Sequence, residues 1–388
     1  MNNPNLQQLS EQLVYLAQLM AKGVASESES QRFCVLLSRI LELPSSQESV
    51  VTARALSALV EIGEDQSARW LAEEFDIECQ LQYLKAPSGR EKACLLFALP
   101  VVVPCADSLR QHVTHNESFN FMQEVLSESD VVSQAAVFSM VPRLFSYSEL
   151  FSKSYGDLRR LTRELAHQVL DGATQLSLPR DFDVSATLEG PSCSSYVDLY
   201  FVVGMVCTEA YELDDVFPAL LYEDDSSSFA ADPDTAALND KIPRAGVMAD
   251  GEPWEKAFCE AFDDAFSSMY GSLSVAAPDG LTEDLRRGLE LSRELGLIRM
   301  FELNAPRDTG AWARLGPLTP LDGELFIEVS CVSGQGADAL ETMRWTVLNH
   351  ESESDALEKL LTCLQDTGIP QEFPLTSALS PMGSLTLH

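Results

Sequence analysis

The N-terminal part of the chain alternates apolar and polar positions with a helical period, and the segments recur in pairs about every forty-one residues. Asn5–Ala25 with Ser28–Leu43 form the first pair, and Gln47–Ile62 with Glu64–Glu78 the second. Ser88–Val103 with Ala106–Leu126, then Asp130–Leu144 with Ser148–Gly172, complete the series. Leu6, Leu9, Leu13, Leu16 and Met20 share one side of the first helix, and Phe33, Leu37, Ile40 and Leu41 one side of the second. Identities recur as well: Ala53-x-x-Leu56-x-Ala58-Leu59 returns as Ala93-x-x-Leu96-x-Ala98-Leu99. A period of about 40–47 residues with two helices per unit is that of a HEAT-like solenoid. The pattern therefore predicts an all-α, paired-helix array over residues 1–175. Each unit of such an array buries its apolar face only against its neighbours and offers a long surface, which points to protein binding. Pro100 and Pro104 bracket Val101–Val103 and predict a kinked or truncated helix there.

From about Ala173 the period changes. Asp181–Leu188 and Tyr196–Val206 are rich in β-branched and aromatic residues and predict strands around a turn at Pro191–Ser195. Residues 212–252 read as loop by composition, most clearly over 223–252. Beyond Pro253, an Ala/Phe stripe from Ala257 to Phe266 predicts a helix, Thr282 to Gly296 a second, and Leu297–Leu303 a strand. Glu324–Val332 and Glu341–Leu348 alternate as a hairpin around Ser333–Ala337, and Ser354–Asp366 closes the pattern as a helix. The expectation for residues 181–388 is an α+β domain with a mostly antiparallel sheet.

Charge sharpens the contrast between the halves. The chain of 388 residues carries a formal net charge of −34. Residues 1–180 hold 22 acids and 15 bases, and residues 181–388 the remaining 38 and 11, so −27 of the charge falls in the second half. Such a balance repels nucleic acid and anionic membranes, so direct nucleic-acid binding and membrane association are not expected. A partner selected by charge would be basic; the other reading of the acidity is solubility alone. The nine cysteines (Cys34, Cys79, Cys94, Cys105, Cys193, Cys207, Cys259, Cys331 and Cys363) are scattered, form no CxxC and sit mostly in apolar runs, which suits a reducing compartment. With no basic-then-apolar leader and no apolar run near the ~18 residues of a membrane span, the expected location is cytoplasmic.

Candidate chemistry is sparse. Gly334-x-Gly336 follows a strand, but position 339 is Ala and the following residues alternate, so a hairpin turn fits better than a phosphate loop. His112 and His115 share a helical face with Cys105 and Asp107 upstream, yet no second pair has the spacing of a zinc site. No catalytic residue, metal or cofactor is assigned. The candidate partner-binding residues are two groups. Asp214, Asp215, Phe217, Leu220, Leu221, Glu223, Asp224 and Asp225 form an acid-flanked apolar stretch suited to docking in a groove. Arg159 and Arg163 belong to a basic cluster with Lys153 and Arg160, suited to an acidic peptide or to an internal salt bridge with the acidic half, Arg160 pairing with Glu164. The expected function is a non-enzymatic interaction module (adaptor, scaffold or chaperone-like) recognising a protein partner. The alternatives are an enzyme with a carboxylate site assembled from non-adjacent residues and an acidic mimic of nucleic acid. The oligomeric state is not fixed by sequence.

Overall fold

The computed structural model describes residues 6–104, 137–151, 153–173, 175–179, 182, 196–210, 280–304, 310–321, 324–334, 339–348 and 351–372. Over these residues the protein is a mixture of eight helices and two four-stranded sheets whose neighbours are antiparallel but for one short parallel pair.

The first four helices follow the sequence pattern closely: α1 (Leu6–Ala21), α2 (Glu27–Leu41), α3 (Ser45–Glu61) and α4 (Asp65–Gln80). Ser26 opens α2 with a capping box completed by Glu29. Gly63, at a φ of 76°, turns the chain between α3 and α4. Their apolar stripes meet in one core, with Leu13, Phe33, Ile40, Val51, Ala55, Leu59, Leu71 and Phe75 all 0–1% exposed.

After α4 the helical expectation fails. Ser88–Val103 was expected to be a helix, but β1 (Leu81–Lys85) and β2 (Glu91–Pro104) form a hairpin. Asp130–Leu144 likewise contributes β3 (Val137–Phe145) to the same sheet. Among the described residues two paired-helix units, α1 with α2 and α3 with α4, are therefore present, the stretch Ala106–Leu126 lies outside them, and a HEAT-like repeat is not confirmed. The physical reason lies in the run from Ala93 to Leu99, every residue of which is 0–1% exposed. A strand buried on both faces reads as a continuous apolar run, and over so short a length that run also matches a helical stripe.

The order in this first sheet is β1-β2-β4-β3, with β4 (Val197–Glu209) paired to β2 along Lys92–Pro104. One sheet thus draws strands from both sides of residues 175–181. Hairpin partner β1 reaches only as far as Leu95 of β2, so the rest of that edge has no strand beside it among the described residues. There the Ala98 amide donates to Asp284 instead, and so points away from β4. Main-chain groups alternate sides along a strand, so Pro100 and Pro104 share the orientation of Ala98. Their missing N–H groups face the strand-free edge and cost the ladder nothing, which is how a central strand accommodates two prolines.

Downstream of β3 come α5 (Tyr147–Phe151) and α6 (Tyr155–Leu170), where a single helix was expected; α6 lays Leu158, Leu161 and Leu165 on the sheet. Helix α7 (Leu281–Asn304) covers the open edge of β2. Its first turns enter the core of the first sheet through Leu281 and Leu285, and its last enter a second core through Leu297, Met300 and Phe301. Gly288 lets the helix come close, since a Cβ there would lie 2.7 Å from the Phe201 ring. The strand expected at Leu297–Leu303 is part of this helix, and Gly296 is buried within it rather than ending it. Leu297, Met300 and Phe301 recur at i, i+3 and i+4, a helical face that the short apolar run conceals.

In the second sheet, β5 (Trp312–Leu321), β6 (Glu324–Val332), β7 (Ala339–Thr346) and β8 (Gln371–Glu372) take the order β7-β6-β5-β8. β6 and β7 are the expected hairpin, and α8 (Glu353–Asp366) is the expected last helix, capped by Ser352. No helix among the described residues is long and apolar enough to cross a membrane.

Candidate functional site

Two solvent-open clefts lie on helix faces among the described residues, and their charges differ in sign. The larger, of about 580 Å³, runs between α7 and α8. Glu294 comes from α7, and Asp355, Glu358, Lys359 and Asp366 from α8, with Ile298 and Cys363 supplying apolar wall. The carboxylates of α8 fall on one face because positions 355, 358 and 366 repeat at helical spacing, while Ala356, Leu360 and Leu364 turn into the core.

The single lysine does not neutralise this groove. Its Nζ is held by Glu290 and lies 3.5 Å from Glu351. Burial disfavours the Lys359 ammonium, but those two carboxylates outweigh it and hold its pKa above the usual value. Glu351 is in turn committed inward. It accepts from both terminal nitrogens of Arg293, one at 3.2 Å, and from the Leu348 amide at 2.9 Å. Arg293 is 0% exposed, donates to the Thr346 carbonyl at 2.7 Å and stacks 4.2 Å over the Trp345 ring. The indole Nε1 closes the network on the Ala356 carbonyl at 3.0 Å. Lys359 and Arg293 are thus both matched by carboxylates. Glu294, half withdrawn from water, has its carboxyl pushed up by burial, with Arg293 opposing and Glu290 reinforcing. Glu358 and Asp366 meet no cation among the described residues.

The second cleft, of about 500 Å³, lies between the turn at Leu41–Ser45 and the start of α6. It brings together Arg159 and Arg163, the two arginines singled out in the sequence, beside Arg160 and Asp157. Among the described residues the partners of Arg159 lie in the first half of the chain. Its guanidinium lies 3.2 Å from the Ser38 hydroxyl and 3.5 Å from Glu78, which joins α2, α4 and α6. Arg160 pairs with Asp157. Arg163 is exposed. Behind Gly156, Glu48 of α3 is fully buried, and burial pushes its carboxyl above the usual range.

The acid-flanked stretch Asp214, Asp215, Phe217, Leu220, Leu221, Glu223, Asp224 and Asp225 lies outside the described residues, as do His112, His115, Cys105 and Asp107. The α7–α8 groove was not anticipated. Its signal was present in the 355, 358 and 366 spacing of the last helix, but the matching wall from α7 is some sixty residues earlier, at Glu294 and Ile298. No group of three or more His, Cys, Asp or Glu side chains is arranged to hold a metal ion among the described residues.

No family model matches this chain, and no curated protein or solved structure matches it either.

Proposed function

We propose that the protein is an interaction module that takes a basic segment of a protein partner in the groove between α7 and α8. The observation that carries this reading is the charge arrangement of the groove. Its lysine is matched from below by Glu290 and Glu351, while Glu358 and Asp366 stand on an open face with apolar wall between them. Lysine and arginine side chains suit such a surface, because their stems cover apolar wall while their heads meet carboxylates. The half of the chain that supplies α7 and α8 carries −27 of the formal charge, which would raise the association rate of a cationic partner.

Fluorescence anisotropy with a labelled Lys/Arg-rich peptide, and with neutral and acidic peptides of equal length, tests this directly. The basic peptide is expected to bind, with affinity falling steeply as salt rises, since exposed charges are screened beyond about 8–10 Å at physiological ionic strength. Glu358→Lys with Asp366→Lys is expected to weaken it by about tenfold at low salt. Equal binding of basic and neutral peptides, or an affinity indifferent to both salt and the double variant, would overturn the reading.

A further inference from the structure

Cys94 of β2 and Cys207 of β4 face each other inside the first sheet. They are Cα partners in the antiparallel register, although 113 residues separate them in the chain. The Ala98 amide points away from β4, and the register from Cys94 to Ala98 is unbroken. Cys94 shares that orientation, so Cys94 and Cys207 form a non-hydrogen-bonded pair, the kind whose side chains lie closer together. Directly opposed Cα atoms in such a pair are about 4.5 Å apart, inside the roughly 4.4–6.8 Å that a disulfide spans. The side chains already meet: the Cys207 thiol donates to the Cys94 sulfur at 2.6 Å. Cys79, the third thiol of the same core, donates instead to the Asp76 carbonyl.

We propose that Cys94 and Cys207 are a redox-modification site that closes to a cross-strand disulfide by exchange with a low-molecular-weight disulfide. One cysteine thiolate attacks a sulfur of the small disulfide, forming a mixed disulfide and releasing one small thiolate. The other cysteine then attacks the protein sulfur of that mixed disulfide and releases the second. Two protein thiols are oxidised, one small disulfide is reduced to two thiols, and the two protons pass to the departing thiolates. No backbone movement is required by the final bond. Access is through the end of the ladder, because Cys207 is 5% exposed and only one rung, Ala93 with Thr208, separates the pair from Lys92 and Glu209. That last rung is an ion pair of 2.7 Å over the same face of the sheet, and strand ends open most readily. The hydrogen bond to Cys94 and burial both push the Cys207 thiol up, so exchange proceeds from the opened end and is slow in the closed sheet. Once formed, the bond pins β2, whose open edge α7 covers, to the central strand β4.

The test uses the full chain, reduced and then brought to equilibrium with oxidised glutathione, with and without sub-denaturing urea. Thiols are counted after denaturation, and linked peptides are mapped by mass spectrometry without reduction. The tryptic peptides that carry Cys94 and Cys207 also carry Cys105 and Cys193, so mapping is done on Cys105→Ser with Cys193→Ser. The expected result is loss of two thiols beyond those capped by glutathione, a Cys94–Cys207 linked peptide in that variant, and a melting temperature several degrees higher than in the reduced protein. Cys94→Ala and Cys207→Ala should each abolish the two-thiol loss. No loss of thiols beyond the glutathione-capped ones in the wild type under both conditions, or a linked peptide joining other cysteines, would overturn the proposal.

Discussion

The carboxylate of Asp284, fully buried in the first turn of α7, accepts a hydrogen bond of 3.0 Å from the backbone amide of Ala98, in the middle of β2 and 186 residues earlier. An aspartate here stands where the next strand of the sheet would be. It satisfies a main-chain donor on an edge that β1 leaves uncovered, and it fixes where α7 begins along that edge.

Replacing Asp284 by Ala leaves the Ala98 amide buried without this acceptor. A hydrogen bond to a charged group contributes about 1.5–3 kcal/mol, and the orphaned donor carries its own desolvation cost. Asp284→Ala should therefore lower stability by about 2–4 kcal/mol in urea unfolding, and Asp284→Asn, which keeps one acceptor oxygen, by roughly half as much. Hydrogen exchange at Ala98 should accelerate in the alanine variant. Equal stability of all three proteins would show that the edge is closed by something else.

Gly288→Ala tests how closely α7 approaches the sheet. On an open helix the change would stabilise by about 1 kcal/mol through helix propensity. Here the new methyl would lie 2.7 Å and 2.8 Å from the Phe201 ring and 3.0 Å from Pro100 Cβ. Overpacking of a core typically costs about 1–3 kcal/mol. A net loss of about 1–2 kcal/mol in thermal melts is expected, and a gain would mean that this face is not packed.

Arg293 and Glu351 are 0% and 2% exposed, and breaking such a pair strands a buried charge. Arg293→Ala should cost about 3–5 kcal/mol. Burial opposes ionisation of Glu351, but the Arg293 hydrogen bonds, the Leu348 amide and the charges of Arg293 and Lys359 outweigh it and hold the carboxyl below its usual range. A carboxyl lowered in the folded state contributes stability that is complete above the ordinary glutamate value of about 4.3 and is lost as pH falls through the lower folded value. Glu351→Gln should accordingly flatten the acid limb of the stability–pH curve below about pH 4.3. An unchanged acid limb would show that other carboxylates set it.

Asp76 of α4 has the opposite sign. Burial pushes its carboxyl up to about 6 against the opposing Thr282 hydrogen bond and Arg286 charge. A carboxyl raised on folding binds its proton more tightly in the native state, so its effect on stability is most favourable below about pH 4 and declines as pH rises to about 6. Asp76→Asn, which cannot ionise, should be more stable than the wild type at pH 8 by about 1–2 kcal/mol, with the difference vanishing near pH 4. Denaturation at the two pH values decides it; a variant less stable at pH 8 would mean that the Arg286 attraction dominates.

By itself the sequence determined the elements whose apolar positions have a long, single period. Leu9, Leu13 and Leu16 of α1, Phe33 and Ile40 of α2, and the alternation of Leu325, Ile327 and Val329 in β6 each specify one secondary structure, because only one backbone period puts those side chains on a common face. Ala93–Leu99 does not, since every position there is apolar and burial on both faces removes the period. Whether that run became a helix or a strand was decided by β4, more than a hundred residues later, which supplies a ladder from Lys92 to Pro104. Tertiary structure alone also decided every pairing between distant residues. Cys94 with Cys207, Ala98 with Asp284, and Glu294 across the groove from Asp366 meet because strand register and the course of α7 bring them together. Local periodicity records which way a side chain faces along its own element; it carries no record of what another element will place opposite.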